Sequence, residues 1–431
     1  MVNRSRLRQK RLYLDGFAGK YCAVPVILRD LEQQALRKLS ARAGAYFAGG
    51  AGAERTMAAN REAFDRRRIV QRVLRDVSKR DLSVELFGRR LPLPVLLAPI
   101  GVLELAHREA DLAAARAAAA EGIPFVTSSQ ASYPLEDIAK ANGEGCRWFQ
   151  LYWSQHDEIA RSFISRAEAS GYSGLVVTLD TTELGWRPRD LSRGYLPFMA
   201  GRGIANYVSD PVFAAIEVDG HDPEGLRPPL GLGLIRSALE LIGAAPGKSL
   251  KRLLATPERV RTIRKFIALY SRPHLTWEDL PRLREWTRLP IVLKGIMHPD
   301  DARRALELGM NGVIVSNHGG RQVDGAVGAL DALPGIVDAI DGKIPVLFDS
   351  GIRTGADVIK ALALGARAVL LGRPYAYGLA LQGEAGVRDV IANLAADLDA
   401  NLGLSGHRTL SELDRSILEE RSLLTGARLE Q

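Results

Sequence analysis

The sequence predicts a (β/α)8 TIM barrel of the α/β class, carrying an N-terminal helical extension and a long insert after the fourth strand. Three observations predict it: eight short apolar runs, a helix-period segment after most of them, and one interval far longer than the rest. The runs are Val95–Ala98, Phe125–Ser128, Trp148–Tyr152, Leu175–Leu179, Ile291–Lys294, Val313–Ser316, Val346–Phe348 and Ala368–Leu371. Strands apolar on both faces that alternate with helices belong to a parallel sheet covered by helices. Eight such units fit a closed barrel better than an open doubly wound sheet.

Each part follows from local chemistry. Glycine or proline stops most helices before the next strand, as in EGIPFVTS (121–128) and LGMNGVIVS (308–316). The segments Asp111–Glu121, Asp157–Ser170, Pro299–Leu308 and Ala356–Leu364 read as helices. Residues 1–94 read as an extension packed on the barrel, with one helix over Leu28–Gly44 and an irregular basic stretch to Pro94. The barrel spans 95–402, its insert 181–276, and residues 403–431 form a C-terminal tail. The insert is apolar near Leu230–Ala245 and basic over Lys248–Lys265. Leaving the side where barrel enzymes keep their chemistry, it reads first as an active-site lid. A membrane-surface or oligomer contact is the second reading.

Composition narrows the function classes. Hydrophobic residues make up 46% and charged residues 25% of 431, the balance of an ordinary globular protein. Two cysteines, Cys22 and Cys146, allow neither a disulfide framework nor a cysteine-rich metal site, which favours a reducing, cytoplasmic compartment. The stretch Leu91–Ala106 is too short and too interrupted by proline to span a membrane. The net charge of +8 reads as a solvated basic surface, because no nucleic-acid-binding motif accompanies it.

Reactive groups belong at the C-terminal ends of barrel strands. Those positions carry Pro99-Ile100-Gly101, Ser128, Gln150 and Tyr152, Thr178 and Asp180, Lys294, Asn317 and His318, Asp349 and Arg353, and Gly372 and Arg373. The last two units suit a phosphate, since Gly351, Arg353 and Gly355 precede a helix N-terminus and Gly372 and Arg373 stand at the next strand end. The glycines also serve simple turns and the arginines surface ion pairs, so the phosphate reading stands beside that plainer one.

SNHGGRQ (316–322) is the sharpest segment. His318 can accept a proton near neutral pH, Arg321 can hold a carboxylate, and Asp180 could orient the imidazole. Lys294 ends an apolar strand and needs an anionic partner, which a reduced flavin would supply. In WRPRD (186–190), Arg187 could join Arg321 while Arg189 and Asp190 pair with each other. Tyr46 and Tyr152 are candidate hydroxyl donors.

Together YFAGGAG (46–52), APIG (98–101), FQLY (149–152), TLDT (178–181), LKG (293–295), SNHGGRQ, DSGIRTG (349–355) and GRP (372–374) resemble the FMN-dependent α-hydroxy acid oxidase and dehydrogenase family. Within it, LGWRPRDL (184–191) and NYVSDPVF (206–213) look most like the lactate 2-monooxygenase branch. The resemblance implies oxidation of a small, lactate-like L-2-hydroxy acid to a 2-keto acid, with oxygen or another acceptor taking the electrons. It implies FMN as cofactor, no metal, and a homo-oligomer (a tetramer or octamer).

It further implies His318 as base, Asp180 as its stabiliser, and Arg321 and Arg187 as carboxylate binders. Tyr46 and Tyr152 bond the substrate, and Lys294 sits beside the flavin pyrimidine. Gln150, Thr178, Ser128 and Pro99–Gly101 surround the isoalloxazine. Ser316, Asp349, Ser350, Gly351, Ile352, Arg353, Gly372 and Arg373 complete the cofactor site. The chain departs from many members at Thr182, Glu183 and Trp186. Gln130 and Ala131 fall where the family varies substrate-facing side chains. The alternatives are a dehydrogenase passing electrons to a quinone or protein, a flavin-dependent isomerase, and an inactive FMN-binding barrel.

Overall fold

The computed structural model describes residues 3–217 and 256–420. Eight parallel strands close on themselves: β1 (Val95–Leu97), β2 (Phe125–Ser128), β3 (Arg147–Leu151), β4 (Leu175–Thr178), β5 (Ile291–Ile296), β6 (Gly312–Val315), β7 (Val346–Phe348) and β8 (Ala368–Leu371). Closure runs through the β8–β1 ladder, with Val369 opposite Val95 and Leu371 opposite Leu97. All eight predicted strands are present, with ends displaced by at most two residues.

Because the strands are apolar on both faces, they feed two cores. Leu96, Val126, Trp148, Val176, Val292, Ile314, Leu347 and Leu370 fill the barrel interior. The hairpin formed by Val84–Leu86 and Arg89–Leu91 packs against that interior cluster. Its Phe87 lies 5.5 Å from Trp148, which stands near the start of β3, so the hairpin covers the N-terminal mouth. The second core lies between strands and helices and includes Leu97, Phe125, Leu175, Val313 and Phe348.

The extension has more regular structure than its sequence suggests. The single helix expected over Leu28–Gly44 is two, Leu28–Lys38 and Ala41–Ala48. Leu39 turns extended, and the Ser40 hydroxyl accepts the Ala43 N–H, the usual way a serine starts a new helix. The stretch expected to be irregular contains the helix Arg55–Asp65 as well as the hairpin. Beyond the helical segment Arg373–Leu404, which is broken by non-helical backbone at Gln382 and Gly383, the strand Leu418–Glu420 pairs antiparallel with Arg67–Ile69. The apolar stretch Leu230–Ala245, residues 248–255 of the basic stretch after it and the last residues of the tail lie outside the described residues. No helix among the described residues is long and apolar enough to cross a membrane.

Candidate active site

At the C-terminal ends of the strands lies a cavity. Its wall includes Tyr46, Pro99, Ile100, Gly101, Tyr152, Arg187, Lys294, His318, Arg321, Asp349 to Arg353, Gly372 and Arg373. Of the remaining residues singled out in the sequence, Ser128, Gln150, Thr178, Asp180 and Ser316 are not in that wall. Ser128, Thr178, Asp180 and Ser316 each touch or stand beside a residue that is, as Ser316 Oγ accepts from Lys294 Nζ at 3.0 Å, and Gln150 Oε1 accepts from Ser128 Oγ at 3.2 Å. Gln130 lines the cavity, whereas Ala131 is fully buried and does not.

The turn after β6 presents the histidine. His318, Gly319 and Gly320 all have positive φ (57°, 65° and 74°), a conformation costing a non-glycine residue about 1 kcal/mol. Side chains hold it there. Ser316 Oγ accepts the His318 N–H at 3.1 Å, and Ser350 Oγ accepts the Gly319 N–H at 2.9 Å. Asn317 exchanges amide hydrogen bonds with Asn60 of the extension at 2.7 and 2.9 Å.

His318 Nδ1 lies 2.7 Å from Asp180 Oδ1, leaving Nε2 as the uncommitted nitrogen. Burial pushes the imidazole pKa below 6.5, against the opposing pull of Asp180. Burial would raise the Asp180 carboxyl, but His318 and Lys294 outweigh it and hold the group far below the usual carboxylate range. Thr181 Oγ1 donates to the same carboxylate oxygen at 3.0 Å. This approach depends on Gly295, at a bulge in β5 with φ +106°, where a Cβ would stand 2.8 Å from Asp180 Cβ.

The sequence reading looked to a flavin for the anion beside Lys294; the protein already provides two. Lys294 Nζ is 3.5 Å from Asp349 and 3.7 Å from Asp180. Burial disfavours its charge, yet these carboxylates outweigh burial and raise the ammonium pKa. The expected Arg189–Asp190 pair does not form: Arg189 reaches across to Glu54, which is closer to its extended side chain than the adjacent carboxylate. Asp190 Oδ1 has no hydrogen-bond partner.

Four arginines line the cavity, and their hydrogen-bond partners are uncharged: carbonyl and amide oxygens and, for Arg373, also the Met57 sulfur. Arg187 donates to Arg321 O and Gln322 Oε1, and Arg321 to Tyr46 O and Gly49 O. Arg373 donates to Phe47 O, Gly49 O and Gly319 O, and Arg353 to Ile352 O. Among the described residues no ion pair neutralises any of the four. Burial and the neighbouring Arg321 charge lower Arg187 to about 10 and Arg373 to about 9. Such a cluster is costly without anions, and a guanidinium is shaped to bind them in pairs of bonds.

The same wall fits FMN. Arg353 and Arg373 stand with Gly351 and Gly372 at the ends of β7 and β8, where barrels commonly take phosphate. A Cβ on Gly372 would meet only Ala98, at 3.9 Å, so its absence leaves open space in the cavity. Gln150 Nε2 and Thr178 Oγ1, on adjacent strands, are buried polar atoms without partners, and such atoms call for a ligand's donors and acceptors.

Residues the sequence reading did not single out complete the mouth. Leu184, Phe198 and Tyr270 come from the two flanks of the insert, and Phe198 and Tyr270 lie 6.3 Å apart. Phe198 falls in a stretch rich in glycine, proline and aromatics, which was a usable signal. Tyr270 and Asn60 had none, because only the fold brings them here.

Fold and site thus define a barrel whose C-terminal mouth gathers four arginines without ion-pair partners among the described residues and a carboxylate-paired histidine. The family of FMN-dependent dehydrogenases matches residues 35–420, and the chain belongs to it. It is 46% identical to an FMN-dependent alpha-hydroxy acid dehydrogenase of Penicillium citrinum, over 96% of each chain. It is 41% identical to an L-lactate oxidase of Lysinibacillus sphaericus, covering 90% of this chain and 91% of that one. A solved structure of mandelate oxidase with (S)-4-hydroxymandelic acid superposes with a TM-score of 0.75 at 35% identity, covering 92% and 98%. The protein is therefore an FMN-dependent α-hydroxy acid oxidoreductase.

Proposed function

We propose that the chain oxidises a small, lactate-like L-2-hydroxy acid to its 2-keto acid. The observation that carries this reading is the placement of un-neutralised Arg187 and Arg321 in one cavity with the Asp180-paired His318. Arg187 and Arg321 hold the substrate carboxylate. Tyr46 and Tyr152 offer hydroxyls to the substrate; burial, with the nearby Asp180 charge, pushes Tyr152 up to about 12, so it serves as a donor. His318 is neutral before reaction, accepts the substrate proton at Nε2, and becomes an imidazolium stabilised by Asp180.

FMN, when bound, supplies the two-electron acceptor. Lys294, Gln150, Thr178, Ser128, Ser316 and the Pro99–Gly101 backbone surround its ring system. Asp349 to Arg353 with Gly372 and Arg373 take its ribityl chain and phosphate. The flanks of the insert act as a lid: Leu184, Phe198 and Tyr270 enclose the substrate's apolar end. That enclosure supports the monooxygenase outcome, in which retained pyruvate and peroxide react to acetate, carbon dioxide and water.

The test is anaerobic flavin reduction by a panel of 2-hydroxy acids, followed by oxygen and product analysis. Bleaching by lactate and release of acetate are expected. Pyruvate with free peroxide would instead make the protein a simple oxidase. Slow reaction with oxygen but fast reaction with a quinone would make it a dehydrogenase.

A further inference from the structure

We infer that Gln322 is a positioning residue that couples the carboxylate clamp to the base, and that its neutrality is what keeps Arg187 available to substrate. The inference rests on the reading of Arg187 and His318 given above. Gln322 closes the SNHGGRQ segment, and its carboxamide is fully used. Oε1 accepts from Arg187 Nη2 at 2.7 Å, while Nε2 donates to Asp180 O at 3.0 Å and Glu183 O at 2.9 Å. One side chain therefore orients the arginine and pins the backbone of the residue that stabilises His318.

The surrounding backbone shows how close the two loops are held. At Gly185 an added Cβ would stand 2.4 Å from Arg321 O and 2.8 Å from Gln322 Cα. Residues 180–187 are thus clamped against residues 321–322, and Gln322 supplies the side-chain half of that clamp. A glutamate could also reach Arg187, but it would pair with the guanidinium and compete with the substrate carboxylate. It would also set an acceptor against the carbonyls of Asp180 and Glu183, where only a donor fits. The neutral amide meets both demands: acceptor toward the arginine, donor toward the loop.

The test uses holoenzyme of wild type, Gln322→Glu and Gln322→Leu. Their FMN content is first shown to be equal, and each is titrated with lactate and with uncharged lactamide. For Gln322→Glu we expect lactate affinity to fall about tenfold or more, as for a lost charged hydrogen bond, while lactamide affinity changes less than about threefold. For Gln322→Leu we expect weaker lactate binding together with a limiting flavin-reduction rate at least about tenfold lower. Equal losses for lactate and lactamide in Gln322→Glu would reduce the residue to a structural role and overturn the inference. Wild-type affinity and rate in both variants would overturn it as well. Should wild type itself bleach with no 2-hydroxy acid, the reading of the site would have failed instead, a separate result visible before any variant is made.

Discussion

Replacing Asp180 by asparagine removes one charge while keeping the size of the side chain. The carboxylate sits 2.7 Å from His318 Nδ1. At an effective dielectric constant near 20, a unit charge pair at that separation attracts by about 6 kcal/mol. Asparagine retains a carbonyl to accept the imidazole N–H, so about half of this is lost in the transition state. A loss of about 3 kcal/mol corresponds to a roughly hundredfold slower limiting reduction. The assay is anaerobic stopped-flow bleaching of the flavin at saturating lactate. The pH profile supplies a second sign: Asp180 raises the His318 pKa, so its loss moves the rising limb of kcat/KM to lower pH. A rate within about threefold of wild type, with an unmoved limb, would refute the assignment.

Other expectations follow from the same geometry. Gly295→Ala places a Cβ 2.8 Å from that of Asp180, so reduction should slow at least about tenfold with FMN retained, which stopped-flow and flavin content would show. Arg373→Leu and Arg353→Leu should each weaken FMN binding about tenfold or more, measured by flavin fluorescence on titration. Asp111 is fully buried and raised to about 7 by burial. Its folded pKa exceeds the unfolded value, so ionisation costs stability increasingly from about pH 4 to 7 and by a constant amount above that. Asp111→Asn should accordingly stabilise the fold at pH 8 by about 4 kcal/mol, seen as a higher Tm, and leave Tm unchanged at pH 4; a difference independent of pH would contradict this. Phe64→Ala empties a fully buried position packed edge-on against Phe348 and should cost about 3–5 kcal/mol in urea denaturation.

Much of the barrel could be read directly because its strands are short apolar runs bounded by glycine or proline, and each run has one plausible use. Polar residues just past those runs marked the mouth, since a barrel strand has only one end where such groups can gather. What could not be read depends on contacts between distant segments. Nothing near Lys294 in the sequence announces Asp349 as its counter-charge, and nothing near Asn317 announces Asn60. The break at Ser40 was hidden by continuous helical periodicity across Leu28–Gly44, although a serine is an ordinary helix start. Arg189 was paired with its neighbour Asp190 because adjacency is visible in a sequence and Glu54 is not. Gln322 stood in the most informative segment of all, yet its three bonds exist only when the loop after β4 lies against it.

The central claim is that His318 is the base of a 2-hydroxy acid oxidation in this cavity. The most direct measurement is anaerobic flavin bleaching by lactate in wild-type and His318→Ala holoenzyme containing equal FMN. The account predicts rapid bleaching in wild type and none on the same timescale in the variant, with the flavin spectrum otherwise unchanged. Comparable bleaching in both would contradict it.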